Sequence, residues 1–211
     1  MTAEPRLLAY GDRAVLVELA DTATVVAWAD ALRAAAIEGV ADVIPAAETV
    51  LVVSDPHADV AALRSKLARI SADSVEEGRA AVRETIDIDV HYDGPDLDEV
   101  CALTGLDRAG VVEAHTGTPW RVAFGGFAPG FAYLVGGDER LQVPRRDEAR
   151  TNVPAGSVGL AGEFSGVYPR ASPGGWQLIG TTEQILWDLD RDPPALLEAG
   201  AVVRFVDVAG R

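Results

Sequence analysis

The sequence has 211 residues, 48% of them hydrophobic, and a formal net charge of −15. This is enough apolar material for a real core in one large domain or two small ones, so wholesale disorder is excluded. The charge repels nucleic-acid phosphates and anionic lipid alike, so no nucleic acid and no membrane is expected as a partner. The one cysteine, Cys101, permits no intramolecular disulfide and no zinc pattern. The start, MTAEPRLLAY, lacks the features of a signal peptide, and no apolar run reaches about 18 residues, so the expected location is cytoplasmic.

Arg6 to Tyr10, a Gly11-Asp12 turn and Ala14 to Leu19 read as a hairpin, with Val15, Val17 and Leu19 alternating. Asp21 and Thr22 are caps for a helix whose stripe is Val25, Ala29, Leu32 and Ala36, stopped by Gly39. Val40 to Pro45 and Thr49 to Val53 are two more strands. Asp55 and Pro56 suit the start of a second helix with Val60, Leu63, Leu67 and Ile70 inward. Residues 71–83, polar and small, read as a linker, and the expected domains are 1–84 and 85–211. The first is a small α/β domain of ββαββα order resembling a ferredoxin-like layer, so the class is α+β. It shows no catalytic constellation, and His57 reads as a surface residue.

Beyond the strand 85–90, Leu97, Val100, Cys101 and Thr104 mark one helix, and Asp107 opens another that ends at His115-Thr116-Gly117. Trp120, Val122 and Phe124 begin a run of short strands between glycine and proline turns, at 132–135, 157–161, 166–168, 177–179, 186–188 and 202–208. Many short strands with frequent turns point to a closed or nearly closed β-barrel.

Chemistry concentrates in residues 124–180. Phe124-Gly-Gly-Phe-Ala-Pro-Gly-Phe sets Gly126, Phe127, Pro129, Gly130 and Phe131 in one turn, where rings can wall a pocket and free N–H groups can cradle an anion. It is neither a Walker loop nor a dinucleotide fingerprint. Arg145, Arg146 and Arg150 stand together in an acidic chain and suit carboxylates or phosphates, or else pair with Asp147, Glu148 or distant acids. Ser157 lies in a motif lacking the first glycine of a hydrolase elbow and reads as a hydrogen-bonding hydroxyl, not a nucleophile. His115 is either a satisfied helix-end residue or a proton-transfer group. With three histidines in the chain, no metal site is expected.

The stretches GFAPGFAYL (126–134), PRR (144–146), VPAGSVGLAG (153–162), YP (168–169) and SPGGWQLIG (172–180), together with GPDLDEV (94–100) and His115-Thr116, resemble the KipI/PxpB family, also called allophanate hydrolase subunit 1. Three positions depart from its pattern: Ala149, Thr181 and Ala201. The resemblance implies a cyclophilin-like barrel behind the small domain. It implies a subunit of an ATP-dependent 5-oxoprolinase, incomplete alone, that opens 5-oxoproline to glutamate. Expected partners are a KipA/PxpC-like subunit (allophanate hydrolase subunit 2), a PxpA-like protein and the small-molecule substrate. The resemblance also implies ATP as the expected cofactor, bound jointly with the partner or by the partner. In that frame His115, Arg145 and Arg150 are the expected catalytic residues. Gly126, Phe127, Pro129, Gly130, Phe131, Arg146, Ser157, Tyr168 and Gln177 are the expected substrate-binding residues. Two alternatives attach to the same resemblance: a carboxyltransferase component of a urea carboxylase-type enzyme, or a histidine-kinase inhibitor. The only lysine, Lys66, lacks the context of a biotin carrier, so biotin would come on another chain.

Overall fold

The structure, a computed structural model, describes residues 5–70 and 85–210. The chain divides into two compact units, Met1–Val82 and Arg83–Arg211. The expected linker, 71–83, lies outside the described residues.

The first unit runs β1 (Arg6–Tyr10), β2 (Ala14–Glu18), α1 (Thr22–Ala35), β3 (Val40–Pro45), β4 (Thr49–Ser54) and α2 (Val60–Leu67). Its sheet order is β1-β2-β4-β3, with every neighbouring pair antiparallel. Strand β4 therefore lies between β2 and β3, and α1 crosses over it as in a split βαβ unit. This is the ferredoxin-like sheet with one change: the strand flanking β2 is supplied from the N-terminal side by β1. The alternation of Val15, Val17, Val50 and Val52 sends all four into one cluster with Trp28, Leu32, Leu63 and Leu67 from the helices. The second helix starts later than the sequence suggests. Asp59, not Asp55, is its cap, accepting from the N–H groups of Ala61 and Ala62. Asp55 to Ala58 instead form a turn closed by the Ala58 N–H on the Asp55 carbonyl. Helix α1 ends at Ala36, in the left-handed region, before Gly39 is reached.

The second unit holds β5 (Thr85–Val90), α3 (Leu97–Thr104), α4 (Arg108–Gly117), β6 (Trp120–Gly125), β7 (Ala132–Val135), β8 (Arg150–Val153), β9 (Ser157–Ala161), β10 (Phe164–Val167), β11 (Ser172–Gly174), β12 (Gln177–Thr181) and β13 (Val202–Asp207). Seven strands form one sheet in the order β12-β9-β10-β7-β6-β13-β5. The two outer strands meet through a bridge in which His91 and Thr181 exchange both backbone hydrogen bonds at 2.8 Å. The sheet is thus a nearly closed barrel. Strands β8 and β11 pair separately, and neither segment reads as a strand from sequence. Residues 186–188 hold only an isolated bridge, Trp187 to Ala195, where a strand is expected.

Alternation gives this sheet two buried faces. Strand β7 and its flank send Ala132 and Leu134 into the barrel core with Val122, Leu160, Ile179 and Phe205, and Phe131 and Tyr133 into an aromatic cluster with Tyr168 and Trp176. The site lies beside that second cluster.

Candidate functional site

The segment Asp93 to Asp96 is strapped along β12. The N–H groups of Gly94 and Asp96 donate to the carbonyls of Ile179 and Leu178 at 3.2 and 3.0 Å. A Cβ at Gly94 would run into the β12 backbone, so the close approach requires glycine. The strap delivers the Asp96 carboxylate, 4% exposed, to three donors. Its Oδ1 accepts from Arg146 Nη1 and Arg150 Nη2, both at 2.7 Å, and its Oδ2 from the Leu178 N–H at 2.8 Å. Burial by itself pushes the Asp96 pKa up. The hydrogen bonds from Arg150 and Leu178 and the charges of Arg150 and Arg146 outweigh it and hold the carboxyl below its usual value. Sequence reasoning misses Asp96, which enters there only within the stretch GPDLDEV. The signal available is an acid beside a tight Gly-Pro turn in a chain with three clustered arginines.

Beside this pair opens a cleft of about 750 Å³, lined by Arg145, Arg146 and Gln177 and by five acids, Asp96, Asp98, Glu99, Asp147 and Glu148. Gln177 is buried, gives its amide N–H to the Pro144 carbonyl at 3.4 Å, and leaves Oε1 without a partner. Arg146 Nε and Arg150 Nη1 are likewise buried and unpaired. A buried polar group without a partner costs roughly 1–3 kcal/mol, and Gln177 and Arg146 carry theirs in the lining of the cleft.

A second concavity, about 90 Å³, is walled by Phe127, Phe131, Tyr133, Tyr168 and Trp176, with Arg145 and Gly174 at its margin. Its rings meet edge to face: Phe131 lies 5.4 Å from both Tyr168 and Trp176. Burial raises the Tyr168 pKa, against the pull of the Trp176 N–H and the charge of Arg145.

The other expected site residues fall as follows. The 126–131 turn is not an open cradle. Its Gly126, Ala128 and Phe131 N–H groups are bound to carbonyls within the turn, Pro129 has none to give, and Gly130 packs on Trp187. Ser157 is buried in β9, unsuited to attack on a substrate. His115 must be reassigned. It is fully buried in the barrel, stacked 4.2 Å from Phe205, with Nδ1 on Tyr92 Oη at 2.8 Å and Nε2 on Ser165 Oγ at 2.9 Å. Burial depresses its pKa to about 3. A neutral, walled-in imidazole with both nitrogens engaged holds the core together and carries no proton to a cleft. The expected arginine cluster is real, but its roles divide: Arg146 and Arg150 serve Asp96, and Arg145 is the one left exposed between the two concavities.

The described residues hold no cluster of three or more His, Cys, Asp or Glu suited to a metal. No helix among them is long and apolar enough to cross a membrane.

Residues 5–197 match the family described as carboxyltransferase domain, subdomain C and D. The chain is 41% identical over 211 residues, 95% of both chains, to a protein of Escherichia coli O157:H7 named as the B subunit of 5-oxoprolinase. A protein of the same name from Haemophilus influenzae is 37% identical over 185 residues, covering 85% of this chain and 84% of that one. Among solved structures, TTHA0988 superposes with a TM-score of 0.72 at 33% identity over 93% of this chain, which spans only 40% of that longer one. A Kluyveromyces lactis urea amidolyase shares the fold at a TM-score of 0.65 and 18% identity, covering 97% of this chain and 15% of that one. The chain belongs to the carboxyltransferase C and D subdomain family, on the branch that contains the B subunits of 5-oxoprolinases.

Proposed function

We propose that this chain is one subunit of an ATP-dependent 5-oxoprolinase and, with a KipA/PxpC-like subunit and a PxpA-like protein, opens the lactam of 5-oxoproline to glutamate. The observation that carries this reading is the end-to-end likeness to the B subunit of a 5-oxoprolinase, 95% of each chain. A lactam is resonance-stabilised. ATP overcomes this by placing a phosphoryl group on the amide oxygen: water then adds to the carbon, the ring nitrogen leaves, and a second water releases phosphate.

This chain's part in that reaction is binding and orientation. Five carboxylates against two arginines make the 750 Å³ cleft a poor seat for a free triphosphate. The phosphates of ATP therefore fall to the partner subunit, and the arginine side of the cleft faces the substrate carboxylate. Asp96 keeps Arg146 and Arg150 in place, which is the preorganisation that charge stabilisation requires.

The test is co-purification with the second subunit followed by an assay of oxoproline-dependent ATP hydrolysis. The expected result is turnover by the assembly and none by this chain alone. Turnover by the single chain would remove the need for a partner. An assembly that consumes ATP and bicarbonate to carboxylate a substrate on biotin, with no response to oxoproline, would replace this reading with the carboxyltransferase one that the family description suggests.

A further inference from the structure

Among the three clustered arginines, only Arg145 has an exposed side chain and no place in the Asp96 ion pair. Its backbone, by contrast, is fixed on both sides. The Pro144 carbonyl accepts from Gln177 Nε2, and the Arg146 N–H donates to the Gly175 carbonyl at 2.8 Å. The result is a guanidinium presented from a clamped main chain at the margin shared by the acidic cleft and the aromatic cup.

The cup has the marks of a built site. Gly174 forms part of its margin, and any Cβ there would run into Tyr168 Oη. Phe127 is held at φ +66, a conformation that bulky residues rarely adopt, and the residue stays 58% exposed while its ring meets Phe131 and Tyr168 edge-on at 5.2 and 6.1 Å. The two edge contacts hold the ring over the cup, and a positive φ retained at a residue that stays mostly in solvent is the kind of strain that clusters at ligand clamps. Size decides what that ligand is. Drug- and cofactor-sized molecules need roughly 300–1,000 Å³, so a cup of about 90 Å³ admits one small ring and excludes a nucleotide. Charge decides the rest. A guanidinium at the mouth repels a cation, which the rings alone would have favoured, and attracts an acid.

The geometry points to Arg145 as the specificity-determining residue of the site, reading the carboxylate of a small ring acid whose ring lies in the Phe127–Phe131–Tyr168–Trp176 cup. This extends the oxoprolinase reading and rests on it for the identity of the natural ligand, but the ring-acid chemistry is testable without turnover.

The experiment is calorimetric titration of the full chain, alone and co-purified with the second subunit, using 5-oxoproline, pyrrole-2-carboxylate and pyrrole-2-carboxamide. Saturable binding of the two acids is expected. Arg145→Ala should weaken it at least tenfold, and the carboxamide should bind the parent chain no better than the acids bind that variant. Phe127→Ala, at an exposed position, should weaken acids and carboxamide alike. Gly174→Ala should fill the cup and abolish both. Equal affinity of the parent chain and Arg145→Ala, equal affinity for acid and carboxamide, or no binding by either preparation would overturn the assignment. Ring-acid binding by an assembly that does not turn over oxoproline would sink the proposed function and leave the cup standing. Turnover with an unchanged KM in Arg145→Ala would do the reverse.

Discussion

His115 and Asp96 are both withdrawn from water in the same unit, yet one is neutral and the other charged. His115 has two uncharged partners, Tyr92 and Ser165, and an aromatic stack on Phe205. Nothing there repays the desolvation of a cation, so the imidazole stays neutral, with its pKa pressed to about 3. Asp96 has two guanidinium groups and a backbone N–H, and it keeps its charge. A buried polar group thus takes the protonation state that its neighbours can satisfy. The charged cluster opens on a cleft and the neutral one is sealed, which separates a site from a core element more sharply than residue type does.

The largest test of this contrast is Asp96→Ala. It leaves two arginines and the Leu178 N–H without their acceptor, and breaking a buried pair costs about 3–5 kcal/mol. Denaturant melts should show that loss together with loss of any ligand binding in the cleft. His115→Ala removes a core side chain and orphans Tyr92 and Ser165, for a loss of about 2–4 kcal/mol, with ring-acid binding retained once the chain is folded.

The two clusters also separate by pH. The folded His115 pKa, about 3, lies below its ordinary 6.5, so between these values the unfolded chain binds the extra proton. Stability then falls on acidification through that window, by up to roughly 1.4 kcal/mol per pH unit from this group. Melts of His115→Gln from pH 7 to 4 should be flatter than those of the parent chain. Asp96, lowered from 3.8, contributes its full stability above that value and loses it only below. An Asp96→Asn variant should therefore differ least from the parent chain in its pH slope above about pH 5.

Gly94→Ala sharpens the comparison further. It touches neither cluster directly, but its Cβ has no room against β12, and overpacking of this kind costs about 1–3 kcal/mol. If the strap is what delivers Asp96, cleft binding should weaken with it. Arg108→Ala closes the series. Its pair with Asp98, at 2.7 Å on the surface, should shift the melting midpoint by nothing measurable.

Local pattern makes much of this chain readable. The valine alternation in β2 and β4, the stripe of α1 and the Asp107 cap of α4, accepting from the Gly110 N–H, all follow from near neighbours. The site is readable only in part, because its partners are far apart in the chain. Asp96 meets Arg146, Arg150 and Leu178 at separations of 50, 54 and 82 residues. Sequence reading offers Asp147, Glu148 or an unspecified distant acid as partners for the arginines, and only the strap along β12 shows that Asp96 takes that role. His115 is misread as a catalytic residue for the same reason, since burial by Phe205 and Trp120 leaves no trace in the residues beside it.

Strand β12 carries a consequence for the order of assembly. The strand that gives Leu178 to Asp96 also gives Thr181 to His91, and Thr181 Oγ1 further donates to Asp93 at 3.0 Å. Closing the barrel and building the site therefore depend on the same pairing, since each requires residues 91–96 to meet residues 177–181. A growing chain cannot hold Asp96 in place before β12 has left the ribosome. Until then Asp96 is solvated and Arg146 and Arg150 lack their acceptor, so a chain cut short of that strand lacks the barrel's closure and its charge centre together.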